Sequence, residues 1–209
     1  MRLRGYNVLK IKLRVSIFGV LMLLVLIFGD DRVYTIIALA AAAVHELAHV
    51  AAAALLKIRI GSLSVDLFGA KLGVAAPLYS YRREWLLSAA GPAMNLLTGG
   101  IAYYIYYFSG KPESQRFVLF FAIASFFLAG LNLLPIKNFD GGRMLLCIMA
   151  PLAGIYAAEK LTGALSFVFV LLLWVMSLYL MLRVGSSLAL FVFSTAIFAE
   201  LFLDSGDFS

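Results

Sequence analysis

Long apolar runs separated by short polar stretches organise this chain. Runs of spanning length begin and end at about residues 13–29, 33–56, 85–108, 117–136, 164–182 and 185–203. A helix rises 1.5 Å per residue, so about 20 apolar residues cover the ~30 Å hydrocarbon core of a bilayer. The pattern predicts an all-α polytopic membrane protein with about six transmembrane helices, forming a single domain over residues 1–209. It changes character once, between the second and third runs. Residues 60–68 partly alternate apolar and polar positions, Gly69-Ala70-Lys71 permits a turn, and Leu72-Gly73-Val74 runs on. That alternation predicts a short membrane-associated β-hairpin. Val65 and Leu67 would lie on an edge strand that an extended peptide can join.

Composition agrees with the pattern. Of the 209 residues, 64% are hydrophobic and 13% charged, with a mean hydropathy of +1.00. That is more apolar than a soluble domain requires. The net charge of +6 raises nucleic acid as a partner, but the placement of the basic residues argues for topology instead. Thirteen of the seventeen Lys and Arg residues precede the first run, stand at its start (Arg14) or lie in the stretches between runs two and three and between runs four and five. The positive-inside rule puts those stretches and the N-terminus in the cytoplasm, and an even number of spans returns the C-terminus to the same side. The protein is expected in a bacterial cell membrane, with the bilayer as its solvent and no nucleic-acid partner. No small-residue cleavage site follows the first run, so it reads as a span and not as a cleaved signal. The stretches 57–84 and 137–163 are the longest loops, and neither is expected to hold a further folded domain. The segment Tyr103–Phe108 reads as an interfacial aromatic belt. Cys147 stands alone, which excludes an intrachain disulfide and suggests a small buried apolar side chain.

The candidate chemistry lies in the second run. His45-Glu46-Leu47-Ala48-His49 places two imidazoles four residues apart, on one face of a helix, where they can share a metal ion. Glu46 lies beside them, where a carboxylate can take a proton from water. Three ionisable side chains are costly in hydrocarbon unless each has a partner or a function. A catalytic zinc generally takes three protein ligands, and the chain has only two histidines, so a carboxylate is expected as the third. Asp66, Asp140 and Glu200 are the candidates. Asp140 is the best placed, because Pro135 ends the preceding helix and Gly141-Gly142 lets backbone pass close to the carboxylate. A carboxylate also offsets part of the cation's charge in a low-dielectric site.

Taken together, these motifs resemble the site-2 protease family of intramembrane zinc metalloproteases. The resemblance rests on His45–His49, on Gly91-Pro92-Ala93-Met94-Asn95, and on Asn132-Leu133-Leu134-Pro135 leading to Asp140-Gly141-Gly142, in the family's order. One position departs: Phe139 stands where the family commonly has leucine. The resemblance implies one Zn2+ held by His45, His49 and Asp140, with Glu46 as general base. Asn132, with Pro135 nearby, would position substrate or stabilise the oxyanion. Gly91, Pro92, Asn95, Gly141 and Gly142 would be structural parts of the motifs. The implied partner is a membrane-associated regulatory protein, cut within or beside a transmembrane segment, with inhibitory or regulatory membrane proteins in attendance. The compact layout and the Asn-Leu-Leu-Pro-Ile run look most like the sporulation-type branch, which acts on a pro-sigma factor. The rival classes are a zinc transporter, which would spread polar residues along several helices, and a non-catalytic pseudo-protease, which would lack Glu46 or a ligand.

Overall fold

A computed structural model describes residues 12–15, 32–58, 60–66, 69–74, 80–108, 112–184 and 188–205. Within them lie six helices: α1 (Arg32–Leu55), α2 (Tyr81–Phe108), α3 (Pro112–Asn132), α4 (Asp140–Ala153), α5 (Ile155–Val184) and α6 (Leu188–Ser205). Three are long and apolar enough to cross a membrane: α1, α3 from Gln115, and α5 to Arg183. The fourteen residues of α4 reach about 21 Å at 1.5 Å per residue, which is short of a bilayer core. In α2, Ser88, Gly91, Asn95 and Gly99 dilute the apolar content.

Small and polar residues fill much of the interior, while many large apolar side chains face out. Ala41, Ala48, Ala53, Ala122, Ala129 and Ala158 are buried, and so are Ser88, Asn95, Ser125, Thr162, Ser166, Ser177 and Ser194. Leu47, Leu97, Ile101, Phe127, Leu172 and Met176 are exposed. In lipid this inversion is expected, because tight backbone approach and interhelical hydrogen bonds hold helices together where apolar burial does not. Helices α1, α2 and α3 pack against one another, α4 docks on α2, and α5 and α6 follow outward in turn.

Three strands accompany the helices: β1 (Lys12–Val15), β2 (Ile60–Asp66) and β3 (Gly69–Val74), in the order β1-β2-β3. β1 pairs parallel with β2, which requires a crossover connection, and α1 lies within it. β2 and β3 are antiparallel. This corrects the edge-strand expectation. Val65 is in the middle strand, opposite Val15 on one side and Ala70 on the other, so its backbone is already paired in both directions. Among the described residues, the outer side of β3 carries no further strand. Leu67 lies outside the described residues. The expected first span begins in β1, and its remainder, residues 16–29, also lies outside them.

Two helix ends bear on the site. α1 closes in a Schellman turn: Ile58 N–H donates to the Ala53 carbonyl at 2.8 Å and Lys57 N–H to that of Ala54 at 3.1 Å. Lys57 takes the left-handed conformation there, with φ 54°, where glycine is the usual occupant. α3 ends at Asn132, four residues before the expected limit of its run. Pro135 has no N–H to give the Leu131 carbonyl and drives Leu134 out of the helical region. Leu134 N–H donates to that carbonyl instead, at 3.1 Å.

The stretch 137–163, expected as a loop, holds all of α4 and the start of α5. Gly154, with φ 83°, makes the break between the two helices.

Candidate metal centre

The site is assembled from α1, α2 and the start of α4. His45 and His49 are buried on one face of α1, as their spacing of four requires. Asp140 is the first residue of α4, where the helix dipole favours a carboxylate. Its Oδ2 lies 3.1 Å from His45 Nε2 and 3.2 Å from His49 Nε2, and the two Nε2 atoms are 3.2 Å apart. Three donor atoms thus form a nearly equilateral triangle. Ligands bound tetrahedrally at about 2.0–2.1 Å lie about 3.3 Å from one another, so the triangle has the size of one face of a zinc tetrahedron. Among the described residues this is the group of His, Cys, Asp and Glu side chains placed to share a metal ion.

The far side of each ring supports the fit. His49 Nδ1 donates to the Leu87 carbonyl at 2.8 Å. A carbonyl only accepts, so the proton is on Nδ1 and the Nε2 lone pair points into the triangle. His45 Nδ1 faces the Asn95 amide, with Nδ2 at 3.2 Å. Leu87, Gly91 and Asn95 recur every four residues along one stripe of α2, and all three meet the histidines. Gly91 does so by having no side chain. A Cβ there would fall 2.5 Å from His45 Nε2 and 2.7 Å from its Cε1, and would collide with His49 Nε2. The space beside both donor nitrogens therefore exists because residue 91 is glycine. Pro92 removes the helix donor for the Ser88 carbonyl and weakens the helix at this same turn.

Asp140 is held from behind. Ile136 and Phe139 are buried against Val170 of α5 and Ile197 of α6, so Phe139 anchors the turn that carries the carboxylate. The buried Ser166 hydroxyl accepts from Lys137 N–H at 2.7 Å and donates to the Thr162 carbonyl at 2.6 Å, with the Pro135 carbonyl 3.4 Å away. A Cβ on Gly141 would strike the Leu133 carbonyl, and one on Gly142 the Ile136 carbonyl. The paired glycines let the start of α4 lie directly on the backbone of the preceding turn.

Other expected site residues are placed less centrally. Glu46 follows His45 on α1, with Oε2 buried. Asn132 donates through Nδ2 to the Leu128 carbonyl one turn back, at 3.0 Å, and Pro135 sits in the α3–α4 turn beside Ser166. The side chains of Asp66 and Glu200, the other carboxylates considered, lie outside the described residues. Cys147 is buried on α4, and burial pushes its thiol up to about 11, so it stays protonated near neutral pH. The Leu87 carbonyl and Ser166 carry no motif signal. The polar pair Thr162 and Ser166, four apart on one face of an apolar helix, is the sequence hint to the second of these.

Three comparisons bear on the fold. A family model described as Peptidase family M50 matches residues 110–176, which include Asp140 but not the histidines of α1. No curated protein sequence matches the chain. The site-2 protease from Methanocaldococcus jannaschii is similar in structure, with a TM-score of 0.66 at 20% sequence identity, over 93% of this chain and 94% of that one. The chain therefore has the fold of that protease, and about a third of its length carries the M50 peptidase pattern, which supports a membrane metalloprotease in general.

Proposed function

We propose that this chain is a zinc metalloendopeptidase that hydrolyses a peptide bond within or next to a transmembrane segment. The observation that carries the reading is the triangle of His45 Nε2, His49 Nε2 and Asp140 Oδ2, with edges of 3.1–3.2 Å, its two histidines on a helix long and apolar enough to cross a membrane. These three side chains would hold one zinc ion, which when bound supplies Lewis-acid activation of water and of the scissile carbonyl. Glu46 takes the proton of the attacking water and returns one to the leaving amine. Asp140 supplies the negative charge that makes a cation tolerable at this depth. Asn132, at the end of α3, positions the substrate near the turn that Pro135 begins.

A helical substrate hides its carbonyls in hydrogen bonds, so it must unwind before attack. Among the described residues the outer edge of β3 carries no further strand, and it is there, in place of Val65, that an extended segment would pair. The substrate is a membrane-associated regulatory protein. The Asn-Leu-Leu-Pro-Ile run supports a sporulation-type member acting on a pro-sigma factor. The charge distribution supports a six-span chain with both termini cytoplasmic.

Co-expression with single-span and membrane-associated regulators, comparing wild type with Glu46→Gln, tests this. The wild type is expected to cut, and the variant to stay folded and zinc-loaded while cutting at least roughly 100-fold more slowly. Cleavage by Glu46→Gln at the wild-type rate would remove Glu46 from the chemistry.

A further inference from the structure

The two histidines differ in what holds the outer ring nitrogen. The Leu87 carbonyl accepts only, and it fixes one tautomer of His49. His45 instead faces an amide, which has a donor end and an acceptor end. Asn95 is fully buried, with 0% exposure, its Nδ2 stands 3.2 Å from His45 Nδ1, and its Oδ1 has no hydrogen-bond donor among the described residues. A buried acceptor without a donor is costly, and this one belongs to the side chain that touches the site.

Each orientation of the amide suits one state of the ring. With Nδ2 toward His45, the ring proton sits on Nε2 and is shared with Asp140 Oδ2, 3.1 Å away. With Oδ1 toward His45, the proton sits on Nδ1 and the Nε2 lone pair faces a cation. A half-turn about the last side-chain bond exchanges the two ends within the same volume, so no neighbour has to move. Neither an apolar residue nor a pure donor could serve both states.

Resting on the zinc reading above, we propose that Asn95 is a positioning residue for His45. Its Oδ1 accepts from Nδ1–H to hold the ring as a ligand. A partner of this kind on a ligating histidine is worth roughly 10- to 100-fold in metal affinity.

Two variants separate this role from packing. Asn95→Leu keeps approximate volume and removes both polar ends; Asn95→Asp keeps an acceptor. Zinc affinity is measured by competition with a chromophoric chelator on detergent-purified protein, and the ring tautomers by 15N NMR of labelled histidine. Asn95→Leu should bind zinc roughly 10- to 100-fold more weakly and lose the single Nδ1–H signature of His45, while that of His49 is unchanged. Asn95→Asp should bind at least as tightly as wild type. If Asn95→Leu matches wild type in affinity and in the His45 spectrum, the proposal is overturned. It is also overturned if Asn95→Asp weakens binding, a result that stands even where Asn95→Leu fails to fold. Wild-type protein that binds no zinc would instead overturn the metal site itself, and Asn95's role with it.

Discussion

Replacing Gly91 with alanine adds one carbon at the most crowded point of the site. That carbon would stand 2.5 Å from His45 Nε2 and 2.7 Å from Cε1, and closer still to His49 Nε2. Non-bonded contact begins at about 3.5 Å, so the overlap is about 0.8–1.0 Å at His45 and larger at His49. The obstacles are buried rings and not the free ends of flexible chains. Relief requires the rings to rotate or α1 and α2 to separate by a similar distance. Metal ligands tolerate deviations of about 0.2 Å, so a triangle with 3.1–3.2 Å edges cannot survive the change. Zinc affinity should fall by at least roughly 100-fold, or about 2.8 kcal/mol. Helix propensity works in the opposite direction, since alanine is better than glycine by about 1 kcal/mol, so α2 itself should not unfold. Gly100 provides the control, because among the described residues a Cβ there meets nothing within 4 Å. Chelator competition on Gly91→Ala, Gly100→Ala and wild type, with thermal unfolding measured alongside, checks the reasoning. Equal zinc affinity in all three would refute it.

Gly142→Ala drives a Cβ into the Ile136 carbonyl and to 2.9 Å from Lys137 N, both backbone. It should cost about 1–3 kcal/mol, read as a lower melting temperature that excess zinc restores only in part. Ser166→Ala takes the acceptor from Lys137 N–H and should cost about 1–3 kcal/mol, with slower cleavage because the turn carrying Asp140 is released; an unchanged melting temperature would show that the clamp does nothing. Lys57→Gly relieves the left-handed position at the end of α1 and should stabilise the protein by about 1 kcal/mol; a lower melting temperature would contradict the Schellman assignment.

The sequence shows some of this structure because the relevant signals are local. Apolar runs mark the cores of α1, α2, α3, α5 and α6, and the spacing of His45 and His49 marks one face of a helix. The approach of Asp140 to them is readable from Pro135 and Gly141-Gly142, which announce an irregular turn with close backbone approach. α4 is hidden because ten apolar residues from Met144 are too few for a span and its N-cap, Phe139, makes no capping bond. β1 is hidden because Lys12–Val15 reads as the start of an apolar run, and its partner lies some fifty residues away. The same non-local pairing turns β2 from an edge into a middle strand. The Leu87 carbonyl is a backbone group and leaves no trace in residue type. Gly91 and Asn95 are visible as a motif, but their contact with the histidines depends on how α2 is turned toward α1.

X-ray absorption at the zinc edge, on purified zinc-loaded wild type and on Asp140→Asn, is the most direct test of the central claim. The account predicts one zinc per wild-type chain, bound by two imidazole nitrogens and a carboxylate oxygen, and loss of stoichiometric zinc in the variant. Wild-type protein without stoichiometric zinc, or the same coordination and occupancy in both proteins, would contradict it.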